Sequence, residues 1–254
     1  MKLATWNVNS IRARLSRLLS FLETRAPDVV CLQETKVEDP EFPSIEIRAA
    51  GYEAVTFGQR TYNGVAILSR TALGAPTYGM EDGVDDPQAR LVAATIEGIR
   101  VASVYVPNGQ APGTEKFAYK LQWLDRLARW LQRGSPEQPL VLCGDFNVAP
   151  EDLDVHDPAA WEGQVLCHPD ERAAFRRLME WGLVDLFRKH HDEGGRFSWW
   201  DYRMLGFQKN RGLRIDHVLA TGSVAARCSA AEIDREMRKG KNPSDHAPVV
   251  VVVE

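Results

Sequence analysis

Polar side chains follow or interrupt the apolar segments of the chain at six places. They are Asn7 after LATW, Glu34 after VVCLQ, Tyr105 and Asn108 near the end of VASVYVPN, Asp145 and Asn147 in VLCGDFN, Asp216 in LRIDHVLA, and Asp245 with His246 before APVVVVV. Each of them alone fits an ordinary turn, because Asp and Asn favour the ends of strands. Their recurrence at the same kind of position predicts instead that these side chains converge on one edge of a sheet.

The side-chain types indicate which chemistry such a cluster could perform. Carboxylate and amide oxygens without sulfur ligands suit Mg²⁺ or Mn²⁺ rather than Zn²⁺. A carboxylate site that binds Mg²⁺ together with water is suited to the hydrolysis of phosphate esters. The chain has neither a G-x-x-x-x-G-K-[ST] loop nor a dinucleotide-binding glycine pattern. Hydrolysis of nucleoside triphosphates and hydride transfer are therefore poorly supported.

Short apolar segments rich in Val and Ile predict the strands that position these residues. Apolar residues at helical spacing predict helices over 11–22, 117–131 and 170–181. Several strand segments are apolar throughout, which is typical of strands covered on both faces. The segments at 64–70, 90–97 and 99–106 follow one another closely and predict antiparallel hairpins. These patterns predict two mixed sheets packed face to face with helices outside them, in one domain spanning 1–254.

Composition excludes several classes of protein. With 44% hydrophobic and 26% charged residues, the 254-residue chain can bury a large core and is neither disordered nor fibrous. No apolar run approaches the roughly 20 residues of a membrane helix. The formal net charge of −4 argues against non-specific coating of nucleic acid, although residues 10–25 and 196–216 are locally basic. The four cysteines lack the spacing of a disulfide frame or a zinc site, so we expect a cytoplasmic protein without membrane contact.

Nine segments, taken in order, resemble the successive motifs of the exonuclease III family of abasic-site endonucleases, within the endonuclease–exonuclease–phosphatase superfamily. They are WNVNSIRAR, PDVVCLQETKV, GVAILSR, VYVPNG, GDFNVAP, WGLVDLFR, FSWWDYR, NRGLRIDHVLA and PSDHAPV. The resemblance extends from residue 3 to residue 253. It implies an α/β fold, a four-layered α/β sandwich in which two mixed β-sheets pack face to face and are flanked by helices.

The resemblance also implies a metal site. Glu34, in the LQET motif, is similar to the family's principal metal-binding carboxylate, and Asn7 and Asp245 complete or support that site. The implied cofactor is Mg²⁺, for which Mn²⁺ could substitute. The remaining members of the implied metal site are Asp145, Asn147 and His246.

The catalytic roles implied by the resemblance concern the phosphate and the attacking water. Asp145 resembles the residue that orients or deprotonates the water, Asn147 holds a phosphate oxygen, and Tyr105 contacts the scissile phosphate. His246 contacts the phosphate and stabilises its developing charge, and Asp216 pairs with this histidine and orients it. These roles fit in-line attack, which needs an activated water, a cation at the phosphate oxygens and donors for the developing charge.

The resemblance implies further residues that bind DNA. Trp199, Leu213 and Ile215 lie in segments where relatives build an apolar pocket for a flipped, baseless sugar, and such a pocket would exclude an intact base. The alternative for the aromatic residues Trp199 and Trp200 is that they belong to the core. The other residues expected to bind DNA are Asn9, Arg90, Asn108 and Arg211.

The implied activity is Mg²⁺-dependent cleavage 5′ to abasic sites in duplex DNA, with 3′→5′ exonuclease and 3′-phosphatase or phosphodiesterase activity, as in base excision repair. The implied partner is duplex DNA with abasic sites or blocked 3′ ends, bound by a monomer. One alternative is a 3′-end-processing exonuclease or phosphatase with weak abasic-site activity, and another is a phosphatase of inositol phosphates. The GLRID and FSWWDYR segments favour the DNA branch. A binding module without catalysis is disfavoured, because every catalytic position carries a competent side chain.

Overall fold

Strands and helices alternate along the chain, and the computed structural model describes all residues 1–254. The helices are α1 (Ile11–Arg25), α2 (Ser44–Ala49), α3 (Glu115–Gln132), α4 (Pro158–Trp161), α5 (Pro169–Glu180) and α6 (Gly222–Ala225). The strands are β1 (Lys2–Asn7), β2 (Val29–Gln33), β3 (Glu53–Phe57), β4 (Val65–Ser69), β5 (Gly74–Tyr78), β6 (Leu91–Ile96), β7 (Ile99–Tyr105), β8 (Leu140–Asp145), β9 (Leu183–Asp185), β10 (Trp199–Trp200), β11 (Gly212–Leu213), β12 (Asp216–Thr221), β13 (Cys228–Ile233) and β14 (Val249–Val253). No helix combines the length and the apolar character needed to cross a membrane.

Two six-stranded sheets form the centre of the molecule. The first has the spatial order β13–β14–β1–β2–β4–β3, and the second has the order β5–β6–β7–β8–β12–β9. Both sheets are mixed, since β1 runs parallel to β2 and β7 runs parallel to β8 while the other neighbours are antiparallel. Strands β10 and β11 form a separate two-stranded ribbon.

Three apolar clusters separate four layers. The largest lies between the sheets and combines first-sheet residues such as Val29 with second-sheet residues such as Val141. A second packs α1 on the outer face of the first sheet, where Phe21 joins Trp6. A third packs α3 and α5 on the outer face of the second sheet. This arrangement confirms the predicted sandwich and explains the valine run in β14, because a strand covered on both faces needs apolar residues at successive positions.

One detail of the predicted topology is wrong. The hairpin of β6 and β7 forms as expected, with its turn at Glu97 and Gly98 in the left-handed region. The segment at 64–70, however, does not pair with β6. It forms β4 between β2 and β3 in the first sheet, while β5 pairs with β6. Because β4 and most of β6 are buried on both faces, their residue pattern does not reveal which sheet each one joins.

The polar residues singled out in the sequence lie at one edge of the two sheets. Parallel β1 and β2 both end there, so Asn7 lies opposite Gln33, one residue before Glu34. In the second sheet, Asp145 at the end of β8 lies opposite both Tyr105 and Asp216. The edge thus collects side chains from strands that are far apart along the chain.

Candidate active site

Asn7 holds two carboxylates together at this edge. Its Nδ2 donates to Glu34 Oε1 at 2.7 Å and to Asp145 Oδ2 at 2.9 Å. One ligand atom each from Glu34, Asp145 and His246 lies within 4.8 Å of the others. Burial raises the pKa of Asp145 to about 7, and the positive charge of His246 opposes that rise. Two carboxylates this close repel each other, so the cluster favours either a proton or a cation between them.

The donor set fits a divalent cation. Glu34 and Asp145 offer hard oxygen ligands, and no cysteine belongs to the cluster. Such a set is typical of Mg²⁺ or Mn²⁺ sites. Asp245 lies beside the cluster, because its two oxygens accept from Asn9 Nδ2 at 3.0 Å and from Trp199 Nε1 at 3.1 Å. The structure therefore brings Glu34, Asp145 and His246 together and places Asp245 outside that group of three.

Lys36 adjoins the cluster and was not among the predicted site residues. Its Nζ lies 2.8 Å from Glu34 Oε2 and donates to Asn9 Oδ1 at 2.6 Å. Glu34 and Lys36 both have positive φ, at 52° and 56°, so the chain turns sharply after β2. Backbone strain of this kind often accompanies functional sites. No property of a lysine in a turn would have marked it as a neighbour of the cation site.

His246 forms the second part of the site with Asp216. Its Nδ1 lies 2.8 Å from Asp216 Oδ2, and its Nε2 lies 3.7 Å from Asp145 Oδ2. Burial disfavours the imidazolium, but the carboxylates of Asp216 and Asp145 outweigh that effect and raise the pKa of His246 to about 10. His246 is therefore a cation at neutral pH, which suits a group that contacts phosphate.

The segment that carries His246 is fixed by contacts with β1 and β10. Ser244 Oγ donates to the Asn7 carbonyl at 2.7 Å, and the Trp6 indole donates to the His246 carbonyl at 3.1 Å. On the other side, the Trp200 amide donates to the Asp245 carbonyl at 3.0 Å. These contacts aim the neighbouring side chains of Asp245 and His246 at different partners.

Ser198 supports the pair of His246 and Asp216, and it was not among the predicted site residues. Its Oγ accepts from the amides of Ile215 at 3.1 Å and Asp216 at 3.0 Å, and it donates to Asp216 Oδ2 at 2.6 Å. Because a hydroxyl oxygen has two lone pairs, both are taken and the hydroxyl proton must point to Asp216. The other oxygen of Asp216 is buried without a partner. Ser198 thus helps to fix the carboxylate that orients His246.

We expect Ser198→Ala to lower kcat about tenfold with KM nearly unchanged, because a hydrogen bond to a buried charged group is lost. Steady-state kinetics of phosphodiester hydrolysis would measure the change. Ser69→Ala is the matched control, since Ser69 is also fully buried but lies at the end of β4. Equal kcat values for Ser198→Ala and the parent chain would contradict the role assigned to this hydroxyl.

Tyr105, Asn108 and Asn147 lie next to the carboxylates. Burial, with help from the charges of Glu34 and Asp145, raises the pKa of Tyr105 well above its usual value, so the phenol keeps its proton. Asn108 Nδ2 donates to Asn147 Oδ1 at 3.1 Å, and Asn147 Nδ2 donates to the Val106 carbonyl at 3.0 Å. These contacts place the side-chain amides of Asn108 and Asn147 beside the cluster of Glu34, Asp145 and His246.

A cleft of about 580 Å³ opens beside Tyr105, with Glu34 and Lys36 among its lining residues. Arg90 also lines it but is only 9% exposed. Its guanidinium carbon lies 4.7 Å from the centroid of the Tyr105 ring, and its Nη1 donates to the Tyr105 carbonyl at 3.1 Å. Arg90 therefore supports Tyr105 directly, whereas Arg211, also predicted to bind DNA, is exposed.

The apolar residues predicted to line a sugar pocket form a closed cluster in this structure. Leu213 and Ile215 are 0% and 2% exposed. They pack with Leu166 and Cys167, and half-buried Trp199 lies against them. Leu213 and Ile215 are therefore packed as core residues. Trp199 alone of the three is accessible, and its indole is bound to Asp245.

Comparison with known proteins agrees with this geometry. A model of the Endonuclease/Exonuclease/phosphatase family matches residues 4–246. Exodeoxyribonuclease III of Haemophilus influenzae is 36% identical over 262 aligned residues, which cover 98% of this chain and 98% of that protein.

Two solved structures share the whole fold. The 3′ phosphatase NExo from Neisseria, bound to a product DNA hairpin, is 42% identical with a TM-score of 0.98, covering 100% of this chain and 99% of that one. An AP endonuclease from Archaeoglobus fulgidus is 41% identical with a TM-score of 0.96, again covering 100% and 99%. The chain therefore belongs to the endonuclease/exonuclease/phosphatase family and, within it, to the exonuclease III family of nucleases.

Proposed function

We propose that the chain is a Mg²⁺-dependent DNA repair phosphodiesterase that cleaves duplex DNA 5′ to abasic sites and processes blocked 3′ ends. The observation that carries the proposal is the approach of Glu34, Asp145 and His246 to within 4.8 Å at one sheet edge, with His246 held as a cation by Asp216. Phosphodiester hydrolysis needs groups that stabilise the charge developing on the phosphate, and carboxylates beside the buried imidazolium of His246 fit that need. Further support comes from relatives whose names include exonuclease, AP endonuclease and a 3′ phosphatase bound to DNA.

In the proposed mechanism, ionised Asp145 orients a water molecule and accepts its proton while the water oxygen attacks phosphorus. The bond from phosphorus to the 3′ oxygen breaks, and the leaving oxygen takes a proton from a solvent water, which leaves a 3′ hydroxyl on the upstream strand and a 5′ phosphate on the abasic fragment. His246 donates its Nε2 proton in a hydrogen bond to a phosphate oxygen, and Asn147 and Tyr105 supply further donors. Mg²⁺ held at Glu34 would supply positive charge for the phosphate oxygens.

One observation favours a second candidate function, 3′-end processing with weak abasic-site cleavage. Leu213 and Ile215 pack in a closed cluster, so a flipped sugar could reach them only if neighbouring side chains moved. A terminal nucleotide or phosphate needs no such pocket, because it reaches the carboxylates from a strand end. The ratio of the rates of abasic-site cleavage and 3′-end processing then depends on how readily this cluster opens.

Two duplexes distinguish these functions, one with a single internal tetrahydrofuran abasic analogue and one with a 3′ phosphate. We expect a nick on the 5′ side of the analogue with Mg²⁺ present and none with EDTA. Phosphate release from the second duplex without nicking of the first would select the second candidate. Release of phosphate from an inositol phosphate, with no cleavage of either duplex, would refute both.

Glu34→Gln tests the cation site within the same assay. We expect the Mg²⁺ concentration needed for half-maximal cleavage to rise by at least about tenfold, because a ligand charge is lost. Glu53→Gln is the control, since Glu53 is exposed and pairs with Arg48 on the surface. An unchanged Mg²⁺ requirement in Glu34→Gln would place the cation elsewhere.

A further inference from the structure

Lys120 is a fully buried lysine in the middle of α3. Its Nζ donates to the Asn147 carbonyl at 2.6 Å, to the Asn108 carbonyl at 3.1 Å and to Glu171 Oε1 at 2.8 Å. Glu171 is also fully buried, in the first turn of α5. A buried ammonium is costly unless it is paired and fully hydrogen-bonded, and here all three of its protons have acceptors.

The two carbonyls bound by Lys120 belong to the two loops that carry site residues. Asn108 follows β7 and Asn147 follows β8. The Asn147 amide, in the peptide before that carbonyl, donates to Asp145 Oδ1 at 2.9 Å, so the backbone of one residue joins Lys120 to the carboxylate of Asp145. Asn147 has a φ of 50°, a left-handed conformation that persists only where the surroundings enforce it.

The surroundings of Lys120 are shaped to admit its side chain. Gly109 has a φ of 90°, and a Cβ at this position would lie 2.9 Å from Lys120 Cδ. A larger residue there would therefore push the lysine stem. Glu171 Oε2 is buried without a hydrogen-bond partner, and Lys120 is the side-chain donor to the other oxygen of that carboxylate. Helix α3, helix α5 and both site loops thus meet at one ammonium group.

We propose that Lys120 and Glu171 are positioning residues that set the loops after β7 and β8, and through the backbone of Asn147 set the carboxylate of Asp145. The proposal rests on the function proposed above, because it assigns the pair to that reaction. Neither side chain faces the cleft, so neither touches the substrate. If Lys120 and Glu171 served stability alone, replacing them with residues that restore stability would leave the rate of catalysis unchanged.

The decisive comparison is between Lys120→Met and the double variant Lys120→Met/Glu171→Leu. The single variant leaves a buried carboxylate unpaired, so we expect its Tm and kcat both to fall. An apolar pair of similar volume often restores stability, so the double variant should recover most of the lost Tm. It still offers no donor to the two carbonyls, and we expect its kcat to stay at least tenfold below the parent value with KM changed less than threefold.

Two further variants bracket this result. Arg129→Met, in the same helix, removes an exposed ion pair to Asp125 and should leave kcat unchanged. If the apolar pair does not fold, Lys120→Gln/Glu171→Gln replaces it. A single amide cannot reproduce an ammonium bound to both carbonyls, so its kcat should also be reduced. Recovery of kcat together with Tm in either double variant would overturn the proposal.

Amide hydrogen exchange at Asn147 gives a readout that does not depend on activity. We expect exchange of this amide to become at least tenfold faster in the double variant, while that of Leu142 within β8 stays unchanged. Unchanged exchange at Asn147 would overturn the positioning role. Failure of the parent chain to cleave either DNA duplex would instead refute the proposed function, while the exchange result would still report on the loops.

Discussion

Replacing His246 with alanine is expected to lower kcat by about 10²–10³-fold, with a much smaller change in KM. The imidazolium is buried, held by Asp216 at 2.8 Å and close to Asp145, so its charge is already oriented before the substrate arrives. Fixed charges of this kind act mainly on the transition state, and removal of one such donor has effects of this size. Single-turnover cleavage of the abasic duplex would measure the chemical step.

His191→Ala provides the control for that result. His191 is half-buried and hydrogen-bonded, but its Nε2 contacts the Ala231 carbonyl, and it lies outside the group of site residues. We expect this variant to cleave at the parent rate. If His246→Ala raised KM and left kcat intact, the histidine would serve binding alone and the proposed mechanism would be wrong.

The second large effect concerns Asp145, whose loss should also reduce kcat by at least about 10²–10³-fold. In the parent chain the reaction needs Asp145 ionised and His246 protonated. Because the pKa of Asp145 is raised to about 7 and that of His246 to about 10, kcat/KM should rise as pH increases through about 7 and fall as it passes about 10. The two limbs belong to the coupled pair rather than to either residue alone.

Two changes should each shift one limb of this pH profile. More Mg²⁺ adds positive charge near Asp145, favours its ionised form and should shift the low-pH limb to lower pH. Asp216→Asn removes the main carboxylate that raises the pKa of His246, and should shift the high-pH limb to lower pH. A pH profile without a low-pH limb, together with an active Asp145→Ala variant, would refute the role of Asp145 as base.

The sequence was sufficient to predict the sandwich and the set of strand-end residues, because these depend on residue type and position. Asn7, Glu34, Asp145, Asp216 and His246 carry side chains whose chemistry is visible in a printed sequence. The structure brings all of them to one edge, as the strand assignments predicted.

The remaining residues of the site could not have been found in this way, because they act through backbone atoms or through another side chain. Lys120 binds two carbonyls, and every residue type has a carbonyl. Ser198 matters because two amides occupy its lone pairs, which depends on the local path of the chain. Leu213 suits both a pocket wall and a core, and only its packing distinguishes the two.

The pairing of β1 with β14 links the folding of this protein to its catalytic chemistry. Residues Lys2–Thr5 meet Val249–Val252 at the centre of the first sheet, and this contact joins segments nearly the whole chain apart. Contacts between such distant segments form slowly during folding. A partly folded chain that lacks this contact could already assemble Glu34, Asp145 and Asp216, yet it would not hold His246 in place. Completion of the active site therefore requires the first and the last strand of the chain to be paired.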